Sequence, residues 1–510
     1  MQVVSFLPWG YEGIVVRVEV DIRKGIPGVE VVGFAGTAVK EARERIRVAL
    51  KNSGFAFPQK RVLINLAPAG LPKKGAWYDL AIALALLAAS GQVEAAEGVV
   101  LVMGELRLSG EVLPVEGVLS SLIAARREGV RVAVVPAANV AEATVVKGVR
   151  VFGVGSLEEA VEVVEAGFPE EREEKGEDVG VEEEWEHDFS SFKGQTYLRR
   201  ALEVAAAGGH HVFLFGPPGS GKTMGAYTFP SILPPLSEEE RLEVLQVYSL
   251  AGELQNGSRR TYSNRRPFRA PHHSATVEGM VGGGKEVRPG EISLAHQGVL
   301  FMDEAPEFRA SILQSLREPI ETGRITLSRA GHSFWYPARF QLILAANPCP
   351  CGNLGREGAV CACSVQEIKR YWRKIGAPLL DRIDIRFPVS PESPEVLLSD
   401  RPEPSAAVRE RVERAWSIQR ERFAGKDYSR NASMTPEEVE THCRLGDEEQ
   451  RLLLKAVEQL SLSSRACASI LKLARTIADL EGAERIQKDH LLEAVHYRRY
   501  GDMDFFWSEL

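Results

Sequence analysis

Three glycines, a lysine and a threonine fall within the eight residues Gly216-Pro217-Pro218-Gly219-Ser220-Gly221-Lys222-Thr223, directly behind the apolar run His211–Phe215. Glycines let successive backbone N–H groups turn toward one anion, and a helix opening at Lys222 presents its positive dipole end to the same group. All four fixed positions of G-x-x-x-x-G-K-[ST] are filled. The chemistry implied is capture of a nucleoside triphosphate, with Lys222 reaching the β and γ phosphates and Thr223 holding Mg²⁺.

Downstream, the strand-like Gly298-Val-Leu-Phe-Met-Asp303-Glu304 ends in two carboxylates, Asp303 suited to Mg²⁺ and Glu304 to polarising an attacking water. A further apolar run, Gln341–Ala346, ends at Asn347, which either orients that water or simply opens a turn before Pro348. Arg382 lies just outside the apolar Ile383-Asp-Ile385, and Arg465 opens a helix. Both suit charge stabilisation on a transferring phosphoryl group, and both equally suit surface ion pairs.

Cys349-Pro-Cys351 and Cys361-Ala-Cys363 bring four thiols onto one short excursion, the ligand number of a closed structural zinc site; the other readings are four free thiols or disulfides, which a cytosolic location disfavours. Cys443 and Cys467 lie in helical sequence and read as ordinary buried residues. A basic stretch, Arg259, Arg260, Arg265, Arg266 and Arg269, precedes the Gly282–Gly284 loop, Lys285 and Arg288. The segment Arg324 to Trp335 alternates like a β-hairpin with Ala330-Gly331 at its tip and carries Arg324 and Arg329. Lys285, Arg288, Arg324 and Arg329 suit a phosphate backbone, or else the carboxylates of neighbouring surfaces.

These residues must be positioned by a chain of 510 residues, long enough for two to four domains. A net charge of −8 argues against global adhesion to nucleic acid without excluding a local basic channel. No apolar run reaches the roughly 20 residues of a membrane span, and no secretory signal opens the chain, so a cytoplasmic location is expected. The Glu-crowded stretch 169–186 reads as an acidic linker. It separates an α/β-patterned region at 1–168, with a helix predicted at Val39–Asn52 and another at Asp79–Ser90, from a P-loop region at 187–390. Strands there at Val212–Phe215, Gly298–Asp303 and Gln341–Ala346 have the spacing of a parallel sheet built from βαβ units. From about 391 to 510 helical periodicity takes over, as a lid.

The order of motifs resembles a family. Arg266-Pro-Phe-Arg-Ala-Pro-His-His273, Gly282–Lys285, Arg288–His296, the Asp303-Glu304 strand, Arg317–Thr326, Asn347-Pro and Leu380-Asp-Arg-Ile-Asp384 together are similar to the magnesium-chelatase-like AAA+ proteins called YifB or ComM, over nearly the whole chain. That resemblance implies a hexameric ring with ATP at subunit interfaces, Asn347 as sensor 1, Arg382 as the finger reaching the neighbour's ATP, and Arg465 as the sensor 2 arginine. It also implies that the Gly282–Gly284 loop and the 324–335 hairpin project into a central pore.

Within 1–168, Pro72-Lys-Lys-Gly75-Ala-Trp-Tyr-Asp79 and Gly104–Gly117 resemble the proteolytic domain of Lon proteases, which implies an α+β fold of the ribosomal S5 domain 2 type. Aligning these strings puts Trp77 where Lon has its serine nucleophile and Ser121 where it has its lysine base. An indole offers no nucleophilic oxygen and a serine no amine, so proteolysis is not expected. A role in ring assembly, DNA binding or partner binding is left open. The expected function is ATP-driven translocation on single-stranded or branched DNA with branch migration; the alternative is a chelatase-type ATPase that remodels a protein partner.

Overall fold

In the computed structural model, residues 1–33, 37–73, 75–94, 97–169, 185–254, 263–284, 287–329, 331–356 and 358–499 are described. Most of the acidic stretch 169–186, the arginines at 259 and 260, Lys285 and the hairpin's Ala330 lie outside these residues.

The N-terminal region is built on a seven-stranded mixed sheet. Its order is Gly28–Val32, Arg61–Ala67, Ile14–Arg23, Gln2–Leu7, Val99–Val102, Val132–Pro136, Arg150–Val154. Side chains alternate across such a strand, so Val3 faces one core while Val4 and Phe6 face the other. On the first face lie the helices Thr37–Asn52, Leu157–Glu165 and Asp79–Ser90, the last apolar all round and buried through Leu87. The second face is covered by Val118–Arg127.

The central region holds five parallel strands. In sheet order they are Phe268–Arg269, Val299–Met302, Gln341–Ala346, Val212–Phe215 and Ile385–Pro388. Strands buried on both faces read as continuous apolar runs, which is why Val-Phe-Leu-Phe and Val-Leu-Phe-Met recur here. Val212 and Leu214 join the core on one face, and Phe213 and Phe215 the core on the other. The first strand in the chain lies between the fourth and the fifth, so the loop leaving it opens at a topological switch point. The two-residue strand Phe268–Arg269 carried no legible sequence signal.

Helices Ser405–Arg422, Asp447–Leu460, Ser464–Leu480 and Lys488–Arg498 form the C-terminal region. Val408, Val412, Ile470, Leu473, Ile477 and Leu491 share one apolar core with the sheet residues Val212, Leu214 and Ile385, so these helices are continuous with the sheet.

The N-terminal region is docked just as firmly. Leu245 and Leu254, from the central region, are buried in the core formed by Val115, Leu119 and Leu122. Beside them the buried Glu142 carboxylate accepts hydrogen bonds from Asn139 Nδ2 and Ser249 Oγ, each at 2.6 Å. Burial pushes its carboxyl above the ordinary range. A second seam joins the turn Trp9-Gly10-Tyr11 to the hairpin of Arg324–Arg329 and His332–Pro337. Trp9 lies 4.8 Å from both His332 and Phe334, Tyr11 lies 5.2 Å from Trp335, and the Tyr11 amide donates to the Trp335 carbonyl at 3.0 Å.

Leu245→Ala removes a side chain that belongs to both regions at once. It should destabilise the chain by about 2–5 kcal/mol. In differential scanning calorimetry it should also split unfolding into two transitions, the N-terminal region melting separately.

A candidate nucleotide site at one edge of the sheet

At the C-terminal edge of the central sheet, Phe215 runs into the loop 216–221 and the helix Lys222–Thr228 follows at once. Gly219 and Gly221 have φ of +79° and +98°, left-handed conformations that a side chain would strain, and the second of them caps the helix start. Lys222 is buried, and its Nζ donates to the carbonyls of Gly216 at 2.7 Å and Pro217 at 2.8 Å and to Asn347 Oδ1 at 3.3 Å. Burial lowers its pKa, opposed by the Asp303 and Glu304 carboxylates. An ammonium desolvated among neutral acceptors is the partner that a phosphate's charge would satisfy.

The strand Val299–Met302 ends beside the same loop. Thr223 Oγ1 donates to Asp303 Oδ2 at 2.9 Å, and the Glu304 amide donates to Asp303 Oδ1 at 2.9 Å. One hydroxyl and one carboxylate in contact, beside a lysine, form an oxygen donor set of the kind Mg²⁺ uses together with phosphate oxygens and water. Glu304 adopts a left-handed backbone with φ of +49°, and its Oε2 lies 3.6 Å from His273 Nδ1. His273 leads away from Phe268–Arg269, the strand beside Val299–Met302, and its ring sits 4.0 Å from that of His272. This contact was missed in sequence; the signal was a histidine pair just beyond a strand adjoining the carboxylate strand.

Asn347 leads directly into the cysteine loop. The four sulfurs of Cys349, Cys351, Cys361 and Cys363 all lie within 4.8 Å of one another, with Cys349–Cys351 at 3.4 Å, Cys349–Cys361 at 3.6 Å and Cys351–Cys361 at 3.7 Å. Four thiolates at tetrahedral Zn–S distances would stand ~3.8 Å apart. The Leu354 amide donates to Cys349 Sγ at 3.4 Å, as a thiolate ligand requires. The Asn353 amide and the neighbouring thiols pull Cys351 down to about 6, whereas burial pushes Cys349 up. Trp372 Nε1 pins the loop through the Pro348 carbonyl at 3.0 Å. At Gly352, with φ of +75°, a Cβ would stand 2.8 Å from Pro218, so the cysteine loop rests on the phosphate loop.

Arg382 and Arg465 are elsewhere. Ile385 pairs in parallel with Val212, so Arg382 precedes the end at which these strands start, whereas Lys222 follows the end at which they finish. A strand of this length puts the two edges ~13 Å apart. Arg465 is with Arg382: one Glu321 oxygen, Oε1, accepts from Arg382 at 2.5 Å and from Arg465 at 2.7 Å. The pair opens on a cleft of about 790 Å³. Arg465, expected as the sensor 2 arginine, therefore stands beside Arg382.

Several arginines expected to face a phosphate backbone are paired inside the chain. Arg288 meets Glu116 of the N-terminal region at 2.9 Å, Arg266 meets Glu240 at 2.7 Å, and Arg269 is held by Glu291 at 2.7 Å and Glu253 at 3.1 Å. Arg265 lies over Trp185, 4.2 Å from the ring centre. The desolvated Arg266 needs such a partner, whereas Arg288 is half-exposed and its pair with Glu116 is a surface one. Arg324 and Arg329 are exposed on the hairpin and make no ion pair among the described residues. Trp335 is turned toward Tyr11. In the N-terminal region Ser121 is buried, its Oγ donating to the Gly117 carbonyl at 2.6 Å, and Trp77 packs against both apolar cores.

The parallel sheet, the phosphate loop at its switch point and the helical C-terminal region define a P-loop ATPase of the AAA+ class. Family models agree along the chain: residues 188–397 match "Magnesium chelatase, subunit ChlI", 18–139 match "Subunit ChlI of Mg-chelatase", and 402–498 match "Magnesium chelatase, subunit ChlI C-terminal". The chain is 43% identical over 487 residues to a protein of Salmonella typhimurium named YifB, covering 95% of this chain and 94% of that one. It is 41% identical over 495 residues to the competence protein ComM of Haemophilus influenzae, covering 96% and 95%. The N-terminal region shares 31% identity over 134 residues with Lon protease 2 of Thermus thermophilus, 25% of this chain and 16% of that one. The chain belongs to the YifB/ComM family of magnesium-chelatase-like AAA+ proteins, a membership that points to ATP and Mg²⁺ as cofactors. Among the described residues no helix is long and apolar enough to cross a membrane.

Gly352→Val forces a branched side chain against Pro218 and into a left-handed backbone. Fluorescent-nucleotide titration should show affinity weakened about tenfold or more, the cost of roughly 1.4 kcal/mol of strain on the phosphate loop.

Proposed function

We propose that the protein is a ring-forming ATPase, most simply a homo-hexamer, that moves along single-stranded or branched DNA in the cytoplasm and promotes branch migration. Lys222 and the loop from Gly216 to Thr223 hold the ATP phosphates, and Thr223 and Asp303 hold Mg²⁺. Glu304 polarises the attacking water and Asn347 orients it. The observation that carries this reading is the position of Arg382 at the opposite edge of the sheet from Lys222. A guanidinium so placed meets a γ-phosphate only when a second copy presents its own phosphate loop, so hydrolysis and assembly become one event. Arg465, sharing Glu321 with Arg382, acts at that same neighbouring site.

For DNA, support comes from the exposed Arg324 and Arg329 and from the likeness to ComM, whose name ties that protein to competence. Lys285 and Arg288 belong to the same expected surface, Arg288 being half-exposed beside Glu116. The N-terminal region, residues 1–168, has no hydrolytic role: the matching serine position is an indole, and the matching lysine position is a hydroxyl satisfied by its own helix. Its turn at Trp9 to Tyr11 supports a role in holding the hairpin. The chelatase descriptions of the family models favour a second reading, remodelling of a protein partner by the same ATPase.

ATPase activity should rise with forked DNA, and branch migration should be abolished by Lys222→Ala. Arg329→Ala should spare ATP binding while lowering the slope of log DNA affinity against log salt by about one. Turnover indifferent to every DNA form would favour the partner-remodelling reading.

The thiolate cluster is read as a structural Zn²⁺ site, four ligands leaving no open position for chemistry. Protein purified without added metal should contain about one zinc per chain by elemental analysis. Removing it with a chelator should weaken nucleotide binding, through the contact of Gly352 with Pro218.

A further inference from the structure

Two guanidinium groups do not sit together unaided, since like charges a few ångströms apart repel. Arg382 and Arg465 nevertheless converge, and what stands between them is a single carboxylate oxygen, Glu321 Oε1, at 2.5 and 2.7 Å. The three residues come from separate elements. Glu321 is in the helix Arg317–Thr322, Arg382 precedes the strand Ile385–Pro388, and Arg465 is in the first turn of the lid helix Ser464–Leu480. The supports around them are asymmetric. Arg382 is 12% exposed, and its Nη1 donates to the Pro378 carbonyl at 2.5 Å, while its Nε has no hydrogen-bond partner. Its loop is buttressed by Arg498 Nη2, which donates to the Asp381 carbonyl at 3.0 Å. Arg465 is 44% exposed and has Glu321 as its ion-pair partner among the described residues.

We propose that Glu321 is a positioning residue for ATP hydrolysis: its carboxylate gathers Arg382 and Arg465 into one preassembled cationic pair, presented to the nucleotide of the adjacent subunit. This rests on the reading that both arginines act on a neighbour's ATP. One negative charge shared by two positive ones leaves the cluster net positive, so it remains attractive to a phosphate while mutual repulsion is relieved. Preorganised charge works because it needs no rearrangement when the transition state forms, and a misplacement of about 1 Å can cost about a hundredfold in rate. The two arginines reach the site from the core and from the lid; Ser463 Oγ, donating to Asp381 Oδ1 at 3.5 Å, and Arg498, donating to the Asp381 carbonyl, fix the two backbones, while Glu321 is the group that holds both guanidinium heads. The carboxyl is held below the ordinary range, first by the Arg465 hydrogen bond and then by Arg382, so it stays charged at neutral pH.

The test is steady-state ATPase of the full chain across ATP concentration, for Glu321→Ala and Glu321→Gln, with Arg382→Ala and Arg465→Ala in parallel. Glu321→Ala should lower kcat by about tenfold to a hundredfold while KM and directly measured ATP affinity stay within about twofold. Mixing Glu321→Ala with Lys222→Ala chains should restore turnover well above either alone, since the first supplies an intact phosphate loop and the second an intact arginine face. If Glu321→Ala melts early, Glu321→Gln, equal in size but uncharged, decides by the same kcat criterion. A kcat within about twofold of wild type, or no recovery on mixing, overturns the assignment. Arginine variants that collapse while the Glu321 variants do not would overturn this inference alone. Arginine variants that turn over normally would remove the inter-subunit reading beneath it.

Discussion

The parallel register of Val212–Phe215 between Gln341–Ala346 and Ile385–Pro388 is the constraint on which the molecule depends. It aligns the ends of three strands so that the phosphate loop, Asn347 and, one strand further, Asp303 emerge at one edge. It equally obliges whatever precedes Ile385 to emerge at the other edge, and that is where Arg382 lies. A parallel sheet has chemically distinct ends, and Arg382 and the phosphate loop lie at opposite ones. The same register decides where the lid goes. His210, just before the phosphate-loop strand, is bridged to Asp384 at 2.9 Å and to Thr476 of the lid at 2.9 Å, which ties Arg465 to the arginine edge.

Charge inside the protein follows the rule that a desolvated cation needs a partner. Arg266 and Arg269 find Glu240 and Glu291, which fastens the central region to itself, while the half-exposed Arg288 reaches Glu116 of the N-terminal region. Lys222, like the buried Lys73 whose ammonium donates to the Pro68 carbonyl, departs from that rule. It is buried against carbonyls and an amide oxygen with no direct ion pair among the described residues, an arrangement that an anionic ligand would satisfy.

The nucleotide edge was legible in sequence because its elements are contiguous strings: a loop that must follow a strand, and carboxylates or an asparagine that must end one. Helices at Asp79–Ser90 and Ser464–Leu480 were legible from apolar patterning and end where the pattern ends. What escaped were relations between distant segments. Nothing in the basic stretch shows that Arg266, Arg269 and Arg288 have Glu240, Glu253, Glu291 and Glu116 as partners within the chain. Nothing near Arg465 gives the orientation of the lid. Phe268–Arg269 is too short to show a period, and with it went the contact between His273 and Glu304.

The seam between Trp9-Gly10-Tyr11 and the hairpin bears on how such a chain can be shortened or rearranged. His332, Phe334 and Trp335 are an aromatic ridge on a two-stranded ribbon, and a ribbon of that kind is marginal by itself in water. Cutting away the first 168 residues would leave the ridge bare, next to the newly uncovered Leu245 and Leu254, as one sticky surface. The N-terminal region thus acts as a cover as well as a fold of its own: shortening the chain there calls for a compensating change in the surface it shields.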